Sequence, residues 1–274
     1  MTRSVVTGGN GYFGRVLVQH LLEQGDEVRL LDIDVSDAPT HGVEIIQGDV
    51  RDLAVVRRAV DGADTVFHNV AQVPLVKDPL LLRSVNVDGT ENVLTASRDA
   101  GVAKVVHTSS SAVFGVPETN PVLPTTVPQP AEPYGHAKLA AEWACLRAAS
   151  TGLDVTIVRP RTILGHGRLG IFGILFDWIA DGADPCVLGD GSNRYQFVHA
   201  DDLARVCRLA AAKPGAAVFN VGTDRFGTMR EALEQVCRHA GTGARVRSLP
   251  AVRPRPPCAP AQHCTSRRSP RTTG

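Results

Sequence analysis

The sequence predicts an α/β protein, a doubly wound parallel sheet of the Rossmann type with a small, incomplete C-terminal domain. Strand-like apolar runs alternate with helical patterns along most of the chain, as parallel strands joined by helical crossovers require. A glycine-rich turn follows the first run, and the later runs end in small or polar residues. With 274 residues, 43% of them hydrophobic, the chain can bury a large core. We expect a ligand at the carboxyl ends of the strands.

The first strand and the turn after it predict a dinucleotide site. The apolar segment 4–6 precedes the glycine-rich segment 7–14, and apolar residues at helical spacing follow. Gly8 permits the tight turn, Gly11 lets the backbone approach a pyrophosphate, and Gly14 lets helix and strand pack closely. Unpaired N–H groups at the helix N-terminus would bind the phosphates. The alternative is a turn of this composition without a ligand. The residues expected to contact the cofactor are Gly8, Asn10, Gly11, Tyr12, Phe13 and Gly14.

The second strand, over residues 27–31, ends at Asp32, with Asp34 close behind it. A carboxylate at this position accepts hydrogen bonds from the adenosine ribose hydroxyls and repels a 2′-phosphate. We therefore expect NAD to be preferred over NADP. The alternative is a solvated acid at a strand end.

Three later strands add polar or small residues to the same edge of the sheet. Segments 43–47, 65–68 and 104–108 end before Gly48-Asp49-Val50, Asn69-Val70-Ala71 and three serines. Because the carboxyl ends of parallel strands meet at one edge, these residues line one crevice. We expect Asp49 to accept a hydrogen bond from the exocyclic amine of adenine, or Gly48-Asp49 to be a plain turn. The further cofactor contacts expected here are Asp49, Val50, Val70 and Ala71.

Tyr134 and Lys138 form a second constellation, because residues four apart lie on the same face of a helix. Pro133, directly before them, suits a helix start. An ammonium group beside a phenol favours the phenolate, so we expect Lys138 to lower the pKa of Tyr134. Tyr134 could then exchange a proton with a hydroxyl or carbonyl group. A tyrosine and a lysine at this spacing also occur on ordinary helix surfaces.

With the glycine turn, the serine-ended strand and the tyrosine-lysine pair in this order, the chain resembles the extended short-chain dehydrogenase/reductase family. That family includes nucleotide-sugar epimerases and 3β-hydroxysteroid dehydrogenases. The family's serine partner falls on Ser110 in Ser-Ser-Ala-Val-Phe-Gly, with Ser111 the alternative by one register. The resemblance implies that Tyr134 is the acid/base, Lys138 binds the nicotinamide ribose and Ser110 orients the substrate oxygen. It also implies hydride transfer between nicotinamide and a carbinol carbon.

The same resemblance extends the cofactor site to later segments. It implies that Asn86 supports the active site, although this residue alone is also typical of a helix-entry cap. Pro160, in Arg-Pro-Arg-Thr, matches the turn near the nicotinamide carboxamide, and Tyr134 and Lys138 also belong to the cofactor-binding set. Asp201, in the later Phe-x-x-x-Asp-Asp segment, either caps its helix or touches substrate.

Departures from the family's patterns narrow the expected reaction. Ser111 and Ala112 stand where dehydratases carry an acidic pair, so dehydration is not expected. Thr162 and Tyr195 replace an asparagine and a phosphate-binding arginine of nucleotide-sugar enzymes, although Arg194 is one residue away. A 3β-hydroxysteroid-dehydrogenase-like oxidoreductase, which interconverts a secondary alcohol and a ketone on an apolar or polycyclic metabolite, fits best. The alternatives are a nucleotide-sugar 4-epimerase and an NAD-binding regulatory or catalytically impaired, truncated protein.

The chain divides into three expected regions. These are a Rossmann domain over 1–165, to which part of 195–225 returns, a substrate-binding or lid portion over 166–249, and a disordered basic tail over 250–274. The apolar segment 171–179 predicts either a lid over the pocket or ordinary helix core. After Glu234 the chain carries arginines but no acidic residue, and the proline-rich tail cannot pack as helix or strand. An out-of-frame terminus is the alternative.

Composition also limits the partners and the compartment. We expect no leader segment, because the chain enters a strand directly, and no membrane span, because no apolar run is long enough. Six scattered cysteines without a Cys-x-x-Cys pair predict free thiols in a cytoplasmic protein and no metal site. The basic tail lacks interleaved aromatic residues, so nucleic acid is not expected. The expected partners are a small-molecule substrate and a second copy of the chain, with Leu139, Trp143 and Leu146 forming either the homodimer interface or internal core.

Overall fold

The computed structural model describes residues 1–39, 41–72, 78–167 and 171–250. In these ranges the strands are, in chain order, β1 (Arg3–Thr7), β2 (Glu27–Asp32), β3 (Val43–Gln47), β4 (Thr65–His68), β5 (Lys104–Thr108), β6 (Val155–Pro160), β7 (Thr162–Leu164), β8 (Cys186–Leu188), β9 (Phe197–His199), β10 (Ala217–Val221) and β11 (Arg247–Leu249). The helices are α1 (Tyr12–Glu23), α2 (Leu53–Val60), α3 (Pro79–Arg83), α4 (Gly89–Asp99), α5 (Pro133–Ser150), α6 (Ile171–Ala180), α7 (Ala200–Ala212) and α8 (Met229–Ala240). A π-helical turn at Ser84–Asp88 and a 3₁₀ turn at Ser111–Phe114 complete the description.

The main sheet has seven strands in the order β10-β6-β5-β4-β1-β2-β3, and every neighbouring pair is parallel. The chain starts at β1 near the middle, winds outward to β3, and then returns through β4 to wind in the other direction. This order is the doubly wound topology, so the predicted fold class is confirmed. The reversal between β1 and β4 opens a crevice at the carboxyl edge of the sheet.

Two layers of helices cover the sheet. On one face, α1 and α7 bury Leu17 and Leu203 in a single apolar cluster. On the other face, α2, α4 and α5 bury Val56, Val93 and Cys145 in a second cluster. The apolar side of each of these helices lies against the sheet. The burial of this apolar surface is the main force that holds the layers together.

A smaller group of elements lies beyond the end of β6. β7 pairs with β9, β8 pairs with β11, and α6 and α8 pack on each other through Ile179 and Cys237. β10 returns to the main sheet beside β6. The division into domains stays a prediction. The predicted basic tail falls outside the described residues from position 251 onward.

Within the described ranges, no helix is both long and apolar enough to cross a membrane. Four cysteines lie in this part of the chain, Cys145, Cys186, Cys207 and Cys237, and all four are free thiols. The same ranges contain no cluster of three or more His, Cys, Asp or Glu side chains that could hold a metal ion.

A row of polar side chains crosses the centre of the sheet beneath the carboxyl edge. Thr7, His68 and His107 are in register on β1, β4 and β5. The Thr90 hydroxyl donates to the Asn86 carbonyl oxygen (2.8 Å), so His68 Nε2, 2.9 Å from Thr90 Oγ1, must carry the proton that this oxygen accepts. His68 Nδ1 is then free to accept from Thr7 Oγ1 at 2.7 Å. His68 is thereby satisfied as a neutral ring.

His107 differs from His68, because neither of its ring nitrogens has a hydrogen-bond partner among the described residues. Its ring lies 5.3 Å from that of His68, and both side chains are buried. Burial, together with the nearby Lys138 charge, lowers the pKa of His68 to about 3 and the pKa of His107 well below its usual range. Both rings are therefore neutral in the folded protein near neutral pH.

Replacing His107 with Phe should raise the free energy of unfolding by about 1 kcal/mol near neutral pH, because an unsatisfied buried polar group is removed. The wild-type protein should lose stability as the pH falls below 6.5. In this range the histidines bind protons in the unfolded chain, whereas the buried His68 and His107 rings of the folded protein stay neutral. Removing one histidine should reduce that slope by about 1.4 kcal/mol per pH unit. Chemical denaturation across this pH range measures both quantities.

His68→Phe is the matched control for this substitution. It also removes a neutral buried ring, but it breaks the hydrogen bonds with Thr7 and Thr90 and should destabilise the protein. Equal loss of stability in the two variants would contradict the distinction between the satisfied and the unsatisfied histidine.

Candidate cofactor and catalytic site

The glycine turn between β1 and α1 is packed too tightly for side chains. A Cβ atom at Gly14 would collide with the Gly8 carbonyl oxygen and lie 2.7 Å from the Gly9 Cα. Gly8 has a φ of +70°, and its Cα lies against the backbone of Val70, where a Cβ would come within 2.9 Å of the amide nitrogen. Gly11 begins α1 without a side-chain cap, so the first helical N–H groups are left for another acceptor. This cradle fits a dinucleotide pyrophosphate.

The side chains around the turn divide between core and crevice. Phe13 is buried in the cluster beneath α1, so only its backbone can face a cofactor, while Tyr12 is half-buried. Asn10 donates its backbone N–H to Asp32 Oδ2 (2.9 Å), and its own Oδ1 is buried without a hydrogen-bond partner among the residues that the structure describes. Asp32 Oδ1 accepts from the Asp34 N–H at 3.3 Å. Asp32 therefore anchors the glycine turn in addition to lying where a ribose would bind.

Asp49 has a partner that sequence reasoning did not foresee. Arg51 donates from Nη2 to Asp49 Oδ2 at 2.5 Å and from Nε to both carboxylate oxygens. This hydrogen bonding holds the pKa of the Asp49 carboxyl below its usual range. An adenine amine would have to share this carboxylate with Arg51. Val50 is buried against Gly89 of α4, and its side chain lies in the core and does not line an open crevice.

The segment after β4 is held by Asn86. The Asn86 side chain accepts from the Gln72 N–H (2.8 Å) and donates to the Gln72 carbonyl oxygen (3.1 Å). It lies inside the π-helical turn and does not cap a helix. Val70 and Ala71, just before Gln72, are half-buried, and Val70 abuts the glycine turn. Asp201 likewise is not the cap of α7, since His199 occupies that position.

Ser110 and Tyr134 meet where the 3₁₀ turn packs on the start of α5. Pro133 is the first residue of α5, and Gly135 lets the helix lie against the Ala112 carbonyl oxygen, which a Cβ would reach at 2.5 Å. The Ser110 hydroxyl caps the 3₁₀ turn by accepting from the Ala112 N–H (3.1 Å), and it is near enough to the Tyr134 phenol to act on the pKa of that group. Ser110 is thus the member of the serine triplet that the structure brings to Tyr134.

Lys138 lies one turn further along α5 and is fully buried. Its Nζ donates to the Thr108 carbonyl oxygen at 2.7 Å, and burial lowers the pKa of Lys138 to about 8. Burial raises the pKa of Tyr134, and the nearby Ser110 hydroxyl opposes that rise. The expectation that Lys138 lowers the pKa of Tyr134 is therefore corrected, because desolvation of the phenolate dominates in this site.

A buried ion pair on α5, one turn beyond Lys138, was not predicted from the sequence. Arg159 of β6 donates from Nε (2.9 Å) and Nη2 (2.6 Å) to the two carboxylate oxygens of Glu142. Glu142, one turn beyond Lys138, also accepts from the Ser109 hydroxyl at 2.5 Å. The Arg159 guanidinium lies 5.1 Å from the centre of the Phe114 ring. This network joins α5 to the ends of β5 and β6.

An apolar wall begins beyond the end of β6. Pro160 is the last residue of β6, and Thr162 follows in β7, where its hydroxyl lies 2.8 Å from Tyr195 Oη. The Tyr195 ring contacts Phe197 (centroids 4.9 Å apart), and Phe197 contacts Phe172 edge-on at 5.6 Å. A cavity of about 750 Å³ continues from Phe197, lined mainly by Leu164, Phe172, Phe176, Phe197, Leu233 and Val236. In α6, Ile179 belongs to a buried cluster and two phenylalanines line the cavity, and its predicted role as a lid stays a prediction.

A doubly wound parallel sheet, a glycine turn at its first crossover and a tyrosine-lysine-serine group at the same edge define the extended short-chain dehydrogenase/reductase class. Within that class, the chain belongs to the NAD dependent epimerase/dehydratase family, whose sequence model matches residues 4–222.

The relatives span more than one activity. The chain is 52% identical to the "Uncharacterized protein y4nG" of Sinorhizobium fredii over 90% of this chain and 63% of that protein. It is 36% identical to a "3 beta-hydroxysteroid dehydrogenase/Delta 5-->4-isomerase" of Mycobacterium tuberculosis over 79% of this chain and 64% of that protein. The fold matches the Thermus thermophilus UDP-glucose 4-epimerase complex with NAD at a TM-score of 0.79 and 31% identity, covering 91% and 86% of the two chains. The chain therefore spans less than two thirds of the length of both of these curated relatives.

The last two glycines of the turn, Gly11 and Gly14, should respond differently to alanine. Gly14→Ala should lower both the midpoint of thermal unfolding and NAD affinity, because its methyl group meets backbone. Gly11→Ala meets only the Gly8 carbonyl oxygen, at 3.3 Å, so stability should hold while NAD affinity falls about tenfold. Thermal unfolding and NADH fluorescence titration separate these effects. Unchanged NAD affinity in both variants would rule out the turn as the pyrophosphate site.

Glu142→Gln should lower the free energy of unfolding by about 3 kcal/mol, because it leaves the Arg159 guanidinium buried without an opposite charge. The double variant Glu142→Gln with Arg159→Met should recover part of that loss, as measured by chemical denaturation. Asp99→Asn is the control, since its partner Arg57 is exposed and the pair should contribute less than about 1 kcal/mol. A loss no larger than the control's would contradict a structural role for the buried pair.

Proposed function

We propose that this chain is an NAD-dependent oxidoreductase that interconverts a secondary alcohol and a ketone. The observation that carries the proposal is the packing of the 3₁₀ turn on the start of α5, which brings Ser110 near Tyr134 at the sheet edge that also carries the glycine turn. Proton transfer needs a phenol within hydrogen-bond reach of the reacting oxygen, and a neighbouring hydroxyl can hold that oxygen in place. No metal is required for this chemistry.

The three side chains divide the work. Tyr134 exchanges the proton of the substrate hydroxyl, and the Ser110 hydroxyl donates a hydrogen bond that orients the substrate oxygen. Lys138, held by the Thr108 carbonyl oxygen, keeps its ammonium group beneath the cofactor ribose and the tyrosine. When bound, NAD supplies the hydride acceptor and donor. Desolvation raises the pKa of Tyr134, which favours its neutral form as the proton donor in ketone reduction.

The preference for NAD over NADP rests on the end of β2. Asp32 lies beside the glycine turn, and Asp34 and Asp37 follow it, whereas residues 33–38 contain no lysine or arginine. A 2′-phosphate would meet like charges here and no partner. We therefore propose NAD as the cofactor.

An apolar substrate is supported by the wall beyond β6. Phe172, Phe176 and Phe197 line the cavity, and Thr162 and Tyr195 stand where nucleotide-sugar enzymes carry an asparagine and a phosphate-binding arginine. The relative named as a 3β-hydroxysteroid dehydrogenase is in keeping with such a substrate. The second candidate is a 4-epimerase acting on a nucleotide sugar, favoured by the likeness to the UDP-glucose 4-epimerase structure. A third candidate, an NAD-binding protein without turnover, stays open.

We also propose that the chain forms a homodimer through α5. Trp143 and Leu146 expose about half of their surface on this helix, whereas Leu139 is buried in the chain's own core. The two exposed side chains are the part of the expected interface that a partner could cover.

The proposed function is tested by incubating the purified protein with NAD⁺, and separately with NADP⁺, and a panel of secondary alcohols that includes sterols. UDP-glucose and UDP-galactose are run in parallel, with products separated by chromatography. Net NADH formation with an alcohol supports the oxidoreductase. Interconversion of the sugars without net NADH supports the epimerase instead, and NAD binding without either reaction supports the third candidate.

Tyr134→Phe should reduce turnover about a thousandfold, because the proton carrier is lost. NAD affinity should stay nearly unchanged, since the ring remains in place. Ser110→Ala should also lose most activity, whereas Ser111→Ala should retain it and thereby serve as the control for the serine register. Steady-state kinetics and NADH titration measure these effects, and a fully active Tyr134→Phe enzyme would overturn the assignment.

A further inference from the structure

We propose that Arg161 is a carboxylate-binding subsite, so that the substrate is a hydroxy or keto acid with an apolar body. This inference rests on the proposed oxidoreductase function and names the substrate class of the same site. The carboxylate would sit on the guanidinium, and the apolar body would lie along the aromatic wall formed by Tyr195, Phe197 and Phe172.

Arg161 stands at the carboxyl end of β6. It directly follows Pro160 at the end of β6, and its backbone N–H donates to the Val221 carbonyl oxygen at 2.8 Å. β6 pairs with β5, the strand that leads into Ser109 and Ser110. Arg161 therefore emerges from the same sheet edge as the proposed catalytic group, one strand away.

The charge of Arg161 is not neutralised by the described part of the chain. Its Nε is buried without a hydrogen-bond partner, and no carboxylate of the described residues forms an ion pair with it. The residues outside the described ranges contain no aspartate or glutamate that could supply one. By contrast, Arg159, two residues earlier on the same strand, is fully engaged by Glu142. A half-buried guanidinium with an unused donor is a site for an external anion.

An apolar, aromatic surface lies beside the charged guanidinium of Arg161. Its guanidinium lies 5.9 Å from the centre of the Tyr195 ring, which the hydrogen bond with Thr162 holds in place. The Tyr195 ring also contacts Phe197, which is one of the residues that line the cavity. A ligand that follows this surface would have an anionic head and an apolar body.

One guanidinium matches a carboxylate better than a diphosphate. A planar fork binds a carboxylate through two parallel hydrogen bonds, whereas a diphosphate carries more charge and calls for further cations. Arg194, the next cation along the wall, stacks on Phe226 at 4.8 Å. We therefore assign a carboxylate and make a diphosphate one outcome of the test.

The test measures binding by calorimetry to the NAD⁺-loaded protein, with octanoate, octan-1-ol and UDP as probes. Octanoate should bind wild type, and Arg161→Leu should weaken it at least about tenfold because a charge-assisted hydrogen bond is lost. Arg161→Lys should fall between the two, since it keeps the charge but not the fork. Octan-1-ol should bind wild type and Arg161→Leu equally, and the control Arg194→Leu should leave octanoate binding unchanged.

The outcomes separate this inference from the proposed function. Octanoate that binds Arg161→Leu as well as wild type, or that binds wild type no better than octan-1-ol, overturns the subsite. If UDP binds the wild-type protein but not Arg161→Leu, Arg161 binds a phosphate group, and the assignment of a carboxylate is overturned. If octanoate binding depends on Arg161 but no alcohol or hydroxy acid is turned over, the carboxylate subsite is supported and the proposed oxidoreductase function is contradicted. Turnover of a hydroxy acid, with a higher KM and similar kcat in Arg161→Leu, supports both.

Discussion

The buried ion pair between Glu142 and Arg159 is the constraint on which the geometry of the site depends. Two charges can be taken out of water only if carboxylate and guanidinium meet with good geometry and their remaining hydrogen-bonding capacity is used. Ser109 uses that capacity on Glu142. The three residues belong to α5, β6 and the end of β5, so these elements have one mutual placement that satisfies them. Ser110 follows β5 and Tyr134 lies in α5, so the placement of these two elements brings the two side chains near each other.

The glycine turn imposes a second constraint from the opposite side of the crevice. Gly14 brings α1 against the backbone of Gly8, and Asp32 holds the Asn10 N–H from β2. The uncapped start of α1 lies at the same sheet edge as Ser110 and Tyr134. A cofactor bound between the two constraints would have its phosphates at the turn and its reactive ring near Tyr134. Both ends are rigid because each is built from backbone contact or buried charge.

The two arginines at the end of β6 illustrate how surroundings decide the role of a residue type. Arg159 is buried, and its guanidinium donates hydrogen bonds to Glu142 and lies over the Phe114 ring. Arg161 comes just after the end of β6 at Pro160, with Tyr195 beside it and an Nε that has no hydrogen-bond partner among the described residues. The same side chain is thus structural in one position and open to a ligand two residues later. Alternation along a strand returns residues two apart to the same side, so the end of β6 at Pro160, and not alternation, separates the two arginines.

The sequence by itself determined the fold class and the glycine turn, and it also placed Tyr134, Lys138 and Ser110 in one predicted group. These features depend on local spacing, because periodic apolar residues and glycines at fixed offsets act over a few residues. The tertiary structure alone decided the pairing of Glu142 with Arg159, of Asp49 with Arg51, and of His68 with Thr7 and Thr90. It also reversed the expected pKa shift of Tyr134, since a lysine four residues away is visible in the sequence but burial is not. Long-range contact and desolvation depend on how distant segments pack, and no local pattern encodes them.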